Sequence, residues 1–239
     1  MILILRRRHV LAIATCMVIS LAAVLFAVNA KDTEALVPIT PSATVVVLDA
    51  GHGGEDGGAV STDGVAESHI NLAIARQVEL LFLFLGQDTV MTRTGEDAVY
   101  SSDADTLREK KVSDLKNRVA LVNEQENAIL LSIHQNSLPS HPSVHGAQVF
   151  YNTVTPGQAL AESVQEVLNQ TVNSGNEKAA KPIDSSVYLM KNSRAPSILV
   201  ECGFMSHSGD VQQLQKQDYQ LRMAASIVAG FRQYQVNEG

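Results

Sequence analysis

Cysteine is scarce in this chain: there are two, and Cys16 lies inside an apolar N-terminal run. A disulfide framework is therefore excluded. Charge is modest, at 18% of residues with a net −7, so nothing in the composition points to nucleic acid. No internal repeat and no low-complexity tract is present, which excludes a solenoid or a compositionally biased linker protein. The phosphate-binding patterns GxxxxGK[ST] and GxGxxG are missing, and so is the HExxH pattern of zinc peptidases. Any metal site has to be assembled from residues far apart in the chain.

What is present suits one globular domain with a small appendage: 239 residues, 45% of them apolar. Arg6, Arg7 and Arg8 precede a stretch, 10–28, of nineteen residues without a charge. Roughly twenty apolar residues span a bilayer, and a secretory h-region is shorter, at ~7–15. Residues 1–30 are therefore expected to be an uncleaved membrane anchor, with a signal segment cut near Val28-Asn29-Ala30 as the alternative. The positive charges stay inside, which puts the body outside the cytoplasm in either case. Residues 31–43, with Pro38 and Pro41, read as a linker, and 44–236 as the folded body.

In the body, strand and helix patterns alternate. Strands are expected over 45–48, 88–92, 128–133, 147–151, 187–190 and 197–201. Helices are expected over 68–85, 113–124, 158–172 and 218–234, with Ser113 as the N-cap of the second. That alternation predicts an α/β fold of three layers, a mostly parallel central sheet flanked by helices.

Chemistry-bearing residues stand where the strands end. The first strand runs into His52 within "VVVLDAGHGGEDGG", the third into His134 within "AILLSIHQNS", and the last into Glu201 within "SILVECGF". Ligand sites in open α/β sheets lie beyond the carboxyl ends of the strands. Glu67 opens the first helix. His52, Glu67 and His134 would make a His₂Glu zinc set with the fourth position left to water, whose pKa zinc lowers to about 7. Glu201 would then be the free carboxylate that moves a proton. Each residue also has a plain reading. Either histidine alone is more often a satisfied polar residue. Glu67 could favour the helix dipole, worth ~0.3–1 kcal/mol. Glu201 could be a solvated strand end.

The ordered stretches "LDAGHGGEDGGA", "AESHINLAIARQV", "VMTR", "LLSIHQNS", "GAQVFY" and "ILVECGFMSH" span nearly the whole body. In that order they resemble the zinc-dependent N-acetylmuramoyl-L-alanine amidases of the type 3 catalytic family. The resemblance implies Zn2+ held by His52, Glu67 and His134 at the carboxyl ends of the strands. It implies Glu201 as the catalytic group and Asn136 as a substrate-binding side chain. The implied substrate is peptidoglycan, cut between the lactyl group of N-acetylmuramic acid and L-alanine.

Three positions depart from the family pattern: His69, His207 and Cys202. His69, two residues past Glu67 on a helix, does not share its face. Cys202 reads as a small hydrophobe. His141 and His145 read as surface or groove residues. The small size, the absence of wall-binding repeats and the single N-terminal apolar segment resemble the branch acting on spore cortex in germination. That branch removes peptide stems as the first step to muramic-δ-lactam, which in a spore former places the body between the two forespore membranes. An unidentified accessory protein is a possible partner. The alternatives are a vegetative wall amidase or other peptidoglycan zinc peptidase, and a non-catalytic wall-binding module.

Overall fold

A computed structural model describes residues 44–238. The expected anchor over 1–30 and linker over 31–43 lie outside the described residues. Among the described residues no helix is long and apolar enough to cross a membrane.

The elements in chain order are β1 (Val45–Ala50), α1 (Glu67–Phe84), β2 (Thr89–Met91), α2 (Leu107–Glu124), β3 (Ala128–Asn136) and β4 (Gln148–Tyr151). They continue as α3 (Gly157–Thr171), β5 (Lys181–Pro182), α4 (Tyr188–Asn192), β6 (Ser197–Phe204), α5 (Ser208–Leu214) and α6 (Gln217–Glu238). The strands form one sheet in the order β2-β1-β3-β6-β4-β5. The pairs β1–β2, β1–β3 and β3–β6 are parallel. β4 runs antiparallel to β6 because it follows β3 without a helical crossover, and so must reverse direction.

β1 is apolar on both sides because both sides are covered. Val46, Leu48 and Ala50 enter a core cluster with α1, α3 and α6, while Val47 enters a second cluster with α2 and α4. Side chains alternate across a strand, so this split defines three layers. Phe82 of α1 meets Phe231 of α6 edge-on, with ring centroids 5.0 Å apart, and this pair locks the first layer.

Several expected boundaries shift. α2 starts at Leu107 and not at Ser113. Its N-cap is Thr106, whose hydroxyl accepts from Glu109 N (3.2 Å) while Glu109 Oε2 accepts from Thr106 N (2.9 Å). Ser113 accepts instead from Ser101 N at 2.9 Å. Residues 187–190, expected as a strand, enter the short helix α4. β6 already has β3 on one side and β4 on the other, so the run before it cannot pair with it, and Leu189 and Met190 pack under the sheet instead. β3 extends to Asn136 and β6 to Phe204, so His134 and Glu201 lie inside strands and not at their ends. β1, by contrast, stops at Ala50, two residues before His52. β5 and α5 carried no sequence expectation.

Candidate metal centre

Because His134 and Glu201 are paired in register on the neighbouring parallel strands β3 and β6, their side chains stand side by side. A register irregularity follows at once, between His134 and Asn136. His52 arrives from the loop after β1 and Glu67 from the first residue of α1. His52 Nε2 lies 2.7 Å from Glu67 Oε1, and His134 Nδ1 lies 3.3 Å from the same oxygen. One donor atom from each of the three residues falls within 4.8 Å of the others. The imidazoles meet edge-on, with centroids 5.0 Å apart.

Two glycines make this convergence possible. A Cβ at Gly51 would collide with the His134 ring, and one at Gly58 with the Glu67 side chain. Gly58 also has φ +70°, where side chains are disfavoured. The glycine-rich turn is thus a close-approach device. His52 itself sits at φ +60°, a left-handed conformation that a non-glycine residue holds only when its surroundings fix it.

Those surroundings are polar and buried. Arg118 on α2, 2% exposed, donates to His52 O (2.7 Å), Ala50 O (2.8 Å), Asp49 Oδ1 (2.6 Å) and Asp114 Oδ2 (2.8 Å). Asp49 also accepts from Thr92 Oγ1 (2.8 Å) and Ser132 Oγ (2.6 Å). Arg93 reaches the same loop from the other side, donating to Ala50 O (2.8 Å) and Gly51 O (3.1 Å). Asn71 donates to Gly51 O at 3.1 Å and to Glu67 Oε1 at 3.4 Å.

Asp56 orients the first histidine: its Oδ2 lies 3.0 Å from His52 Nδ1. A carboxylate behind an imidazole in this way is the usual outer support of a metal-ligating histidine. Burial opposes charge on His52, but the bonds to Asp56 and Glu67 prevail and raise its pKa to about 9. Glu67 is likewise opposed by burial, yet His134 and His52 hold it down at about 2. The hydrogen bond from His52 holds Asp56 well below the ordinary carboxylate range.

Glu201 behaves in the opposite way. Its residue is half-buried by surface area, but Oε2 is fully buried without a hydrogen-bond partner among the described residues. Burial, reinforced by repulsion from Glu67, lifts its pKa to about 7 against the pull of His134 and His52. A cation in the cluster would lower it again. Two imidazoles, one carboxylate and an unpartnered buried carboxylate oxygen beside them suit a divalent ion such as Zn2+. The cluster opens into a cleft of about 320 Å³, which it shares with the apolar side chains of Leu115, Val187, Leu189, Met190 and Leu199.

Asn136 ends β3 half-buried; its Oδ1 accepts from Ser137 N at 2.7 Å, which leaves the amide nitrogen to donate. His69 is exposed and pairs with Glu96 at 2.7 Å, away from the cluster. His207 is the N-cap of α5, accepting from Asp210 N at 3.1 Å through Nδ1, and its ring stacks on His145 at 4.8 Å. His141 is exposed beside Ser140. Cys202 is buried and its thiol is pushed up strongly by burial, so it is no nucleophile. Sequence reasoning missed Asp49, Asp56, Arg93 and Arg118. For Asp56 a signal existed: a carboxylate four residues after His52 in the same glycine turn.

A family model described as N-acetylmuramoyl-L-alanine amidase matches residues 46–233. The germination-specific N-acetylmuramoyl-L-alanine amidase of Bacillus subtilis is 30% identical over 198 residues, covering 83% of this chain and 82% of that protein. The amidase LytC of the same organism is 29% identical over 192 residues, covering 79% of this chain and 35% of LytC. Among solved structures, the CwlD amidase from Clostridioides difficile, in complex with the GerS lipoprotein, matches with a TM-score of 0.77 at 33% identity, covering 81% of this chain and 98% of that one. The chain belongs to the N-acetylmuramoyl-L-alanine amidase family and is a peptidoglycan amidase.

Proposed function

We propose that residues 44–236 form a catalytic body that uses zinc to hydrolyse the amide between the N-acetylmuramic acid lactyl group and L-alanine. The observation that carries this reading is the convergence of His52, Glu67 and His134 on one point beside the orphaned carboxylate oxygen of Glu201. When bound there, zinc supplies positive charge that polarises the scissile carbonyl and makes water more acidic. His52 and His134 give neutral imidazole donors, and Glu67 gives a carboxylate. Asp56 keeps Nδ1 of His52 occupied, so that Nε2 faces the cluster. Glu201 takes the proton of the attacking water and delivers it to the nitrogen of L-alanine as the C–N bond breaks. Asn136 donates to the bound glycan-peptide, and the apolar wall of the cleft excludes water around it.

The substrate lies in spore cortex, and the product is the first step towards muramic-δ-lactam. Support comes from the germination-specific relative, which is matched over 82% of its length. Residues 1–30 anchor the protein in a membrane, with the body outside the cytoplasm, and an accessory lipoprotein of the kind seen with CwlD is its partner. The second reading, a vegetative wall amidase, draws on the matches to LytC and to a cell wall amidase of Bacillus anthracis, neither of which is described as germination-specific. Muropeptide analysis of spores carrying Glu201→Gln separates the two. Cortex that keeps its peptide stems and lacks the lactam supports the cortex role. Normal lactam levels assign the enzyme to the vegetative wall.

A further inference from the structure

Helix α1 buries Ile74, Val78 and Phe82, yet its last turns present Leu80, Leu83 and Phe84 to solvent, at 65%, 55% and 86% exposure. Residues spaced three and four apart share one side of a helix. Val236 near the end of α6 is 75% exposed. Its neighbour Gln235 donates to Gln87 Oε1 at 3.2 Å, just after α1 ends, and Gln87 donates to Thr44 O at 2.6 Å. The exposed apolar side chains therefore gather at the amino pole of the sheet, where the described chain begins.

Forty-three residues precede Thr44, including the uncharged run 10–28 and the thirteen-residue linker 31–43. That linker reaches at most about 45 Å when fully extended. From the position of Thr44 beside this patch, we propose that Leu80, Leu83, Phe84 and Val236 rest on a lipid bilayer, and that the catalytic cleft faces away from it. The inference rests on the proposal that residues 1–30 are a membrane anchor. A short tether supplies the effective concentration that lets a small apolar patch engage its surface. Asp88 and Glu126 lie just before β2 and β3 at the same pole, and Arg194, which donates to Asn123 O at 2.9 Å, lies just before β6; with both signs of charge there, the contact is carried by the apolar side chains. Glu67 stands at the other end of the eighteen-residue α1, about 27 Å away at ~1.5 Å per residue. A body seated in this way points its cleft outward, towards the glycan mesh.

The chain has no tryptophan, so one substitution installs one reporter. Phe84→Trp marks the amino pole; Leu138→Trp, in the loop after β3 and 38% exposed in the parent, marks the carboxyl pole. Both full-length variants are reconstituted in phosphatidylcholine vesicles with and without brominated acyl chains, and flotation is read alongside fluorescence. Retained hydrolysis of a soluble muropeptide checks that each variant folds. The expected result is co-flotation, loss of most Phe84→Trp emission in brominated vesicles at low and high salt, and unchanged Leu138→Trp emission. Co-flotation with Phe84→Trp unquenched overturns the proposal and leaves the anchor standing; a blue-shifted, unquenched signal would assign the patch to the linker. Quenching of Leu138→Trp overturns the orientation. Failure to float removes the anchor, and the bilayer contact with it.

Discussion

Replacing Arg118 by methionine keeps much of the side chain's bulk and removes its charge. What remains compensates only in part: Arg93 still donates to Ala50 O, and Thr92 and Ser132 to Asp49, but none of these replaces the cation between the two carboxylates. Asp49 and Asp114, 1% and 8% exposed, lose their shared cation, and the carbonyls of Ala50 and His52 lose a donor. Removing one partner of a buried ion pair costs about 3–5 kcal/mol, a large share of the roughly 5–15 kcal/mol that holds a domain folded. The described body has 195 residues (44 to 238). At ~2.1 cal/mol/K per residue its unfolding entropy is about 0.4 kcal/mol/K, so ~4 kcal/mol lowers Tm by about 10 °C. The loss also has a pH signature. Burial opposes ionisation of Asp49, but Arg118, with His134 and Ser132, brings its pKa from 3.8 to about 2. A depressed pKa gives stability that is present above the unfolded value and is lost as pH falls through the folded one. In Arg118→Met the same buried carboxyl loses its main counter-charge and its pKa rises above the unfolded value. Protonation then favours the folded variant as pH falls, so the gap from wild type narrows between pH 7 and pH 4. Thermal unfolding of both proteins across that range is the assay. A variant melting within about 2 °C of wild type, or a gap that does not close in acid, would refute the reasoning.

Asp56→Asn should weaken zinc binding about 10–100-fold while leaving the fold intact, because it removes the carboxylate behind His52 and not a ligand; unchanged affinity in a competition assay would take Asp56 out of the site. With the His52 pKa raised to about 9, the metal-free body holds a proton there at neutral pH. Zinc uptake should release that proton, and apparent affinity should climb about tenfold per pH unit up to about 9; calorimetric heats independent of buffer ionisation would contradict this. Glu201→Gln should bind zinc normally and lose about 10²–10⁴-fold in turnover, whereas loss of the metal would make Glu201 a ligand. Because the folded pKa of Glu201 is raised to about 7, ionising it costs the metal-free fold stability as pH rises from 4.5 through 7. Metal-free Glu201→Gln should therefore melt above wild type at pH 8, and a lower melting point there would contradict the burial argument.

The three-layer sheet was legible because each buried strand is a short apolar run and each long helix carries a repeat of Leu, Ile or Val. The candidate ligands were legible because histidine after a β-run and glutamate at a helix start stand out against an apolar background. The support around them was hidden. Arg118 and Asp114 lie four apart on a helix, a spacing that nothing in the sequence marks as buried, whereas the structure turns them into the core beneath His52. The short run 187–190 has no periodicity long enough to distinguish helix from strand; its helical turn shows only in the structure, where Leu189 and Met190 join the cluster of Val47, Val122 and Leu199. Strand ends were read too early at His134 and Glu201, because a polar side chain facing a site looks like the end of a buried strand.

The most direct test of the central claim is mass spectrometry of peptidoglycan fragments after digestion with the full-length protein, loaded with zinc and after chelation. The account predicts zinc-dependent release of stem peptides that begin with a free L-alanine amine, together with muramic acid bearing a free lactyl carboxylate. Cleavage within the stem or between sugars, or the same products after the metal is removed, would contradict it.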